Sequence, residues 1–144
     1  MRKAAEQGHA ESQYLLGSLY EEGEGVAQNY KEAVKLFRKA AEQGNANAQF
    51  HLGRAYHSGK GILQNHMEAV KWSRKAAEQG NAKAQFLLAI KYEAGEGVAE
   101  NQKEAVKWLK KAAEQNHSAF SQFLLARKYA EGKGVAQNHK EAVK

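Results

Sequence analysis

The sequence contains no cysteine, proline, aspartate or threonine, and all 16 of its acidic residues are glutamate. Without cysteine the chain has no disulfide framework and no thiolate metal site. The absence of cysteine is compatible with both an oxidising and a reducing compartment. No stretch approaches the roughly 20 consecutive apolar residues of a membrane-spanning helix. The first residues also lack the apolar centre of a signal peptide. A composition this biased is typical of a repetitive or helical protein.

The 144 residues fit one domain of common size, and an apolar content of 42% is enough to form a core. Lysine and arginine together number 22, which gives a formal net charge of +6. This mildly basic balance permits anionic partners but does not require them.

The chain repeats itself at an interval of 36 residues. The sequence KAAEQG occurs three times, and KAAEQN supplies a fourth copy. A glycine-rich stretch such as GEGVAQN recurs at 23–29, 59–65, 95–101 and 132–138, with one extra residue before the last copy. A period in this range indicates a solenoid of stacked supersecondary units.

Each unit is predicted to contain two helices. Helix A covers 46–58 in the second repeat, where apolar and small residues three and four apart form one buried face. Gly59 follows at the position of a left-handed C-terminal cap. Helix B begins at Asn65 and ends at Gly80. The spacing of Asn65 and Glu68 predicts a capping box, in which Asn65 accepts from the Glu68 amide and Glu68 reaches back to the Asn65 amide.

The glycine-rich turn between the two helices has two interpretations. Glycines ahead of a helix can hold phosphate, but a nucleotide site would occur once and would carry Lys-Ser/Thr or an acidic partner for ribose. Here the turn recurs four times at fixed spacing without those residues. We therefore interpret it as the reversal between two antiparallel helices, which requires positive φ angles.

The helix–turn–helix unit resembles the Sel1-like repeat, a relative of the tetratricopeptide repeat. The resemblance covers essentially the whole chain and rests on these residues and their counterparts in later repeats: Leu16, Gly17, Tyr20, Gly23, Gly25, Val26, Ala33, Ala40 and Ala41. It implies an all-α fold, a right-handed α/α superhelical solenoid of about four units. The single repeat domain would contain a partial helix B at 1–8, repeats at 9–44, 45–80 and 81–116, and an incomplete repeat at 117–144.

The resemblance also implies a scaffold or adaptor that binds other proteins. Some bacterial relatives are cysteine-rich and secreted, and the absence of cysteine does not support that branch. The compartment is left open between the bacterial cytoplasm and, if a leader has been removed, the periplasm.

Comparison of the repeats with one another locates a candidate partner-binding surface. The most varied positions of helix A, here called slots 12, 8, 5, 4 and 1, are numbered by their distance before the first glycine of the turn. Their spacing puts them on one helical face, which we expect to line the concave groove of the solenoid. The predicted partner-binding residues are Glu11, Leu15, Ser18, Asn47, His51, Arg54, Lys83, Leu87, Ile90, Lys91, Phe120, Leu124, Arg127 and Lys128.

The chemistry of this face suggests an acidic protein or peptide segment as the partner. Apolar residues would form the floor of the groove, and Arg54, Lys91, Arg127 and Lys128 would add positive charge. An alternative remains open for Leu15, Leu87 and Leu124, which could instead pack between repeats. The arginines are expected in the groove because burying an unpaired arginine is costly.

Helix B carries a second basic surface. It comprises Lys31, Lys35, Arg38 and Lys39, then Lys71, Arg74 and Lys75, then Lys103, Lys107, Lys110 and Lys111. A nucleic-acid or anionic-surface site is the alternative function. Interleaved glutamates and the lack of an aromatic stacking row favour a solvated helix face instead.

The sequence predicts no metal site, no cofactor and no catalytic activity. None of the six histidines pairs at i,i+4 or adjoins cysteine or aspartate. No serine stands in a nucleophile-elbow sequence. The chain begins and ends inside a predicted helix B, so we expect either a fragment of a longer array or end-to-end self-association.

Overall fold

The computed structural model describes residues 2–116 and 119–132, and it contains seven helices and no strand in that part of the chain. The side chains of residues 2–7, 116, 119 and 120 are not described. The helices are α1 (Arg2–Glu22), α2 (Tyr30–Glu42), α3 (Ala46–Ser58), α4 (His66–Glu78), α5 (Ala82–Ala94), α6 (Gln102–Asn116) and α7 (Ala119–Glu131). Helices α1, α3, α5 and α7 contain the predicted helices A, and α2, α4 and α6 are the predicted helices B.

Within the described residues α1, α3 and α5 each pair with the helix B that follows, and α2, α4 and α6 each contact the next helix A. The result is a row of α-hairpins, as expected for a solenoid. In the second and third repeats the recurring face of helix A is buried as predicted: Leu52 and Leu88 are fully buried, and Tyr56 and Tyr92 are nearly so, whereas Leu16 of the first repeat is 40% exposed. Two clusters of buried residues form the core, one with residues from α1 to α4 and one with residues from α3 to α6, so each spans neighbouring hairpins.

Asparagine caps begin the helices of the second and third repeats. Asn65 Oδ1 accepts from the Glu68 amide at 3.1 Å, which confirms half of the predicted capping box. The other half is wrong. The Asn65 amide donates to the carbonyl of Tyr56 in the preceding helix, and Glu68 accepts instead from Trp72 Nε1. The cap amide thus fixes the two helices of a hairpin to each other.

Helix α1 departs from the predicted pattern. A boundary was expected at Gly8, as at Gly44 and Gly80, but α1 continues through this position. Gly44 and Gly80 have φ angles of 98° and 99° and are followed by Asn45 and Asn81, which cap the next helix. His9 replaces the asparagine in the first repeat. Without a capping side chain, nothing favours a break over continued helix.

Polar bonds also join neighbouring hairpins. The Arg38 guanidinium donates to the hydroxyl of Tyr56, and Arg74 repeats this bond to Tyr92 at 2.6 Å one hairpin later. The side-chain amide of Gln49 donates from Nε2 to the backbone carbonyl of Ala41 at 3.2 Å. Because these bonds recur with the repeat, they hold each hairpin in the same orientation on the last.

The two glycines of each turn have different tasks. Gly59 (φ 74°) ends α3 as a left-handed cap, and its amide donates to the Ala55 carbonyl. Gly61 (φ 80°) lies against the preceding hairpin, where a Cβ atom would stand 2.5 Å from the Tyr30 carbonyl oxygen. At Gly25 (φ 75°) a Cβ atom would meet nothing within 4 Å. Both roles are structural, in agreement with the interpretation of this stretch as a turn between two helices.

We predict that Gly61→Ala is more destabilising than Gly25→Ala. Both substitutions force alanine into the left-handed region, which costs about 1–2 kcal/mol. Only Gly61→Ala adds an overlap with the backbone of the preceding hairpin, which should cost about 1–3 kcal/mol more. Urea unfolding measures the difference, and equal losses of stability would contradict the assigned role of the second glycine.

Candidate functional site

The five variable slots of helix A do not form one open face. Slots 12, 5 and 1 are exposed or half-buried wherever the structure describes the side chain, and they are seven and four residues apart. This spacing aligns them along one line of the helix. We call them the open stripe: Glu11, Asn47 and Lys83; Ser18, Arg54, Ile90 and Arg127; Glu22, Ser58, Ala94 and Glu131. The side chain of Phe120, also predicted to bind a partner, lies outside the described part.

Slot 4 requires a correction. Lys91 and Lys128 were predicted to add positive charge to the groove, but they are 0% and 3% exposed. Each lies between its own helix A and the preceding hairpin. Lys91 Nζ is 2.6 Å from His66 Nδ1, and Lys128 Nζ is 2.8 Å from Gln102 Oε1. Their ammonium groups are therefore bound within the chain and do not face an open surface.

Some residues of slot 8 pack between repeats and others are open to a partner. Leu87 is buried in the core, so the packing alternative applies to it, and the half-buried Leu124 packs against the same core cluster. Leu15 is 54% exposed. The half-buried His51 stacks on the Phe37 ring at 4.9 Å between centroids. Only the first repeat presents an open leucine in this slot.

Arg54 is the centre of a charged network on the open stripe. Its Nη2 atom lies 2.8 Å from Glu21 Oε1 and 3.0 Å from His51 Nδ1. Hydrogen bonding to His51 lowers the pKa of the Glu21 carboxyl, and the charge of Arg54 adds to this, although burial opposes both. Glu21 therefore stays ionised and paired, and Arg54 keeps a side chain that is 43% exposed.

A polar cluster surrounds Lys91 between the second and third hairpins. His57, His66 and Glu96 each bring one potential metal-ligand atom within 4.8 Å of the others. The Lys91 ammonium lies against this set, 2.6 Å from His66 Nδ1 and 3.5 Å from Glu96 Oε1. The cluster thus already contains a cation supplied by the chain. Burial lowers the pKa of Lys91, and the carboxylate of Glu96 opposes that shift.

Sequence reasoning missed this cluster because it searched for histidines one helical turn apart. His57 ends α3 and His66 begins α4, so only the turn between the helices brings them together. Glu21, Tyr30 and Lys60 were also missed. With Arg54 and Ser58 they line a cavity of about 340 Å³ next to Ala55. The available signal was alanine at 55, where two other repeats carry lysine.

The basic surface of helix B is largely engaged within the fold. Arg38 and Arg74 donate to tyrosines of the next helix A. Lys71 and Lys75 lie over the ring of Trp72, and Lys107 and Lys111 lie over Trp108 in the same way (5.1–5.4 Å from ammonium to ring centroid). Both tryptophans are buried, so they offer no ring for a nucleobase to stack on.

Comparison with known proteins identifies the family. The family model described as Sel1 repeat matches residues 1–9, 10–45, 46–81, 82–117 and 119–144. The chain belongs to the Sel1 repeat family. Proteins built from Sel1 repeats generally act as non-enzymatic scaffolds for protein–protein interactions. The expected all-α solenoid is thereby confirmed.

Solved structures of Sel1 repeat proteins are similar to this chain. A protective antigen present in uropathogenic Escherichia coli strains, displaying an SLR fold, is 40% identical over 99% of the chain, with a TM-score of 0.87. A Sel1 repeat protein from Oxalobacter formigenes is 43% identical over 95% of the chain, with a TM-score of 0.86. The chain spans only 32% and 56% of these two proteins.

A more distant neighbour shows the fold alone. Cysteine-rich protein B of Helicobacter pylori is 24% identical over 84% of the chain, which spans 95% of that protein, with a TM-score of 0.64. No curated protein matches the chain. None of the helices in the described residues is both long and apolar enough to cross a membrane.

We predict that the cluster around Lys91 makes stability depend on pH. Burial and the neighbouring Lys91 charge lower the pKa of His57 below its ordinary value of 6.5. The unfolded chain therefore binds a proton at a higher pH than the folded chain, and stability falls as pH decreases below about 6.5. Thermal unfolding between pH 7.5 and 5 should show this loss.

His57→Gln removes the titrating group, and the corresponding slots of other repeats carry the similarly shaped Glu21 and Glu93. It should flatten the dependence above pH 5. Glu21 acts in a separate window, because its lowered pKa means that its contribution is lost only below about pH 4.5. The control is His9→Gln, which changes an exposed histidine on α1. An unchanged profile in His57→Gln would contradict the assignment.

Proposed function

We propose that the chain binds an extended segment of a partner protein along the open stripe of its helices A. The observation that supports this is the contrast between slots. In slots 12, 5 and 1 the side chains differ from repeat to repeat and stay accessible, whereas the recurring leucine and tyrosine of α3 and α5 are buried in the core. Variation without a packing constraint is what a surface selected for a ligand would show.

The open stripe carries a different residue set in each repeat. Slot 5 alone offers a hydroxyl at Ser18, a guanidinium at Arg54, an apolar group at Ile90 and a second guanidinium at Arg127. A bound segment would thus meet a different set of side chains at each hairpin, which favours sequence-specific recognition over non-specific binding. Arg127 is 52% exposed and pairs with Glu131 one turn away, so a partner carboxylate would compete for it at the surface.

The acidic character proposed for the partner now rests on fewer residues than the sequence suggests. Lys91 and Lys128 are bound inside the fold, which leaves Arg54, Lys83 and Arg127 as the cations of the stripe. Glu11, Glu22 and Glu131 lie on the same stripe. The stripe is therefore mixed in charge, and an acidic side chain of the partner would be accepted at particular hairpins and not along the whole surface.

A peptide selected on this chain from a displayed library tests the proposal. Reversing two charges of the stripe, in Arg54→Glu/Arg127→Glu, should weaken that peptide about tenfold or more, since two favourable contacts become unfavourable. The control reverses two charges on helix B, in Lys71→Glu/Lys103→Glu, and should leave the affinity within about twofold. Thermal unfolding of both variants checks that each remains folded.

The same two double variants also test the alternative function, nucleic-acid binding by helix B. A fluorescein-labelled single-stranded RNA of mixed sequence serves as the probe. A steep loss of its affinity with added salt, together with loss in the helix B variant only, would favour the alternative and overturn the proposal. Peptide binding that survives the Arg54/Arg127 double reversal would also count against the open stripe.

A further inference from the structure

One position distinguishes the interface between the first two hairpins from the two that follow. Slot 4 holds lysine in the third and fourth repeats, and both lysine side chains fill the space between their helix A and the preceding hairpin. Lys128 Nζ lies 3.1 Å from Glu93 and 2.8 Å from Gln102 Oε1. Lys91 makes the corresponding contact with His66. In the second repeat the slot holds Ala55.

The space that a lysine would fill beside Ala55 is empty. A cavity of about 340 Å³ lies there between α1, α2 and α3. Its apolar floor is formed by the buried residues Ala33, Val34 and Ala55. Polar groups of Glu21, Tyr30, Arg54, Ser58 and Lys60 line the rest. The cavity is large enough for one extended side chain from outside, as the chain's own lysines demonstrate in the next two interfaces.

The charges around this cavity favour an anionic occupant. Arg54 and Lys60 are cationic, and the one carboxylate, Glu21, is already paired with Arg54 at 2.8 Å. Lys60 forms no ion pair with any residue of the described part; its ammonium lies 5.8 Å from the centre of the Tyr30 ring. The Tyr30 hydroxyl accepts from Gln28 Nε2 at 3.1 Å, which leaves its own proton free to donate.

We propose that the cavity beside Ala55 accepts a carboxylate side chain, glutamate or aspartate, of the segment bound along the open stripe. This inference rests on the proposed function and specifies it at one hairpin. Arg54 and Lys60 would supply charge-assisted hydrogen bonds, and Tyr30 would supply a neutral one. A lysine side chain from a partner would instead meet two cations and one carboxylate that is already neutralised.

The direct test uses small probes and does not require a known partner. N-acetylglutamate N-methylamide carries the proposed side chain, and the glutamine and lysine analogues are matched controls. In a nuclear magnetic resonance titration at millimolar concentration, the glutamate probe should saturate shifts of the Arg54 side-chain N–H and of the backbone amides at 58–61. The glutamine and lysine probes should bind at least about tenfold more weakly.

Filling the cavity gives the matched variants. Ala55→Lys has the side-chain length that the chain accommodates at 91 and 128, but its ammonium would lie beside Arg54 and Lys60, so thermal unfolding checks that this variant remains folded. Ala55→Met adds similar length without charge, and both should weaken the glutamate probe about tenfold or more. Lys60→Glu, which copies Glu96 of the third repeat, should do the same by reversing charge. Ala99→Met and Lys103→Glu, which change exposed residues outside both the cavity and the open stripe, should retain binding.

The outcomes separate this inference from the proposed function. Preferential binding of the lysine probe, or unchanged glutamate binding in Ala55→Met, would overturn the carboxylate cavity. If the selected peptide still depends on Arg127 in that case, the stripe function stands without the cavity. If the glutamate probe binds as expected but the selected peptide is indifferent to the stripe variants, the cavity stands and the proposed function fails.

Discussion

The packing of helix A on two sides, which the described residues show in full for α3 and α5, governs the rest of the structure. One side contacts the helix B of its own hairpin, and the other contacts the helix B of the hairpin before it. The first contact buries residues that recur in every repeat, such as Leu52 and Tyr56. The second buries slot 4, which does not recur. Because two sides of α3 and α5 are occupied, the line of slots 12, 5 and 1 is the part of these helices that stays open to a partner.

Backbone groups maintain this double packing as much as side chains do. The amide of Asn65 donates to the Tyr56 carbonyl within a hairpin, and Gly61 approaches the Tyr30 carbonyl of the hairpin before. Neither contact depends on the identity of a large side chain. A side chain at the second glycine would push the hairpins apart, which explains why the G-x-G pattern persists while the residue between the glycines alternates between glutamate and lysine.

Much of the fold could be predicted from the sequence because its determinants are local and repeated. The bounds of α3, its left-handed cap at Gly59 and the Asn65 cap all follow from residue types at fixed spacing. The unbroken α1 could have been inferred from His9, which replaces an asparagine cap. The failure of Glu68 to reach back to the Asn65 amide could not have been inferred from the sequence. In the folded chain Glu68 accepts from Trp72, and the Asn65 amide donates to the Tyr56 carbonyl.

The candidate site was predicted less well because variation between repeats was equated with exposure. Slot 4 varies although it is buried in the last three repeats. Its partners vary with it: Lys91 lies among His57, His66 and Glu96, and Lys128 lies against Glu93 and Gln102. A buried position can change freely when the groups facing it change too. Such compensation is invisible until the facing residues are known, because they lie about 25–35 residues away in the sequence.

The different chemistry of the three interfaces also bears on how the repeats keep their order. Units this similar could stack in a wrong register at little cost if every interface were identical. Moving Lys91 to the position of Ala55 would place it beside Lys60 and the already neutralised Glu21. Placing Ala55 against His57 and His66 would leave the Lys91 site empty and its polar groups without a partner. Slot 4 therefore matches its own interface in each of these hairpins, and the interface that holds Ala55 in place of a lysine is the one with a cavity beside it.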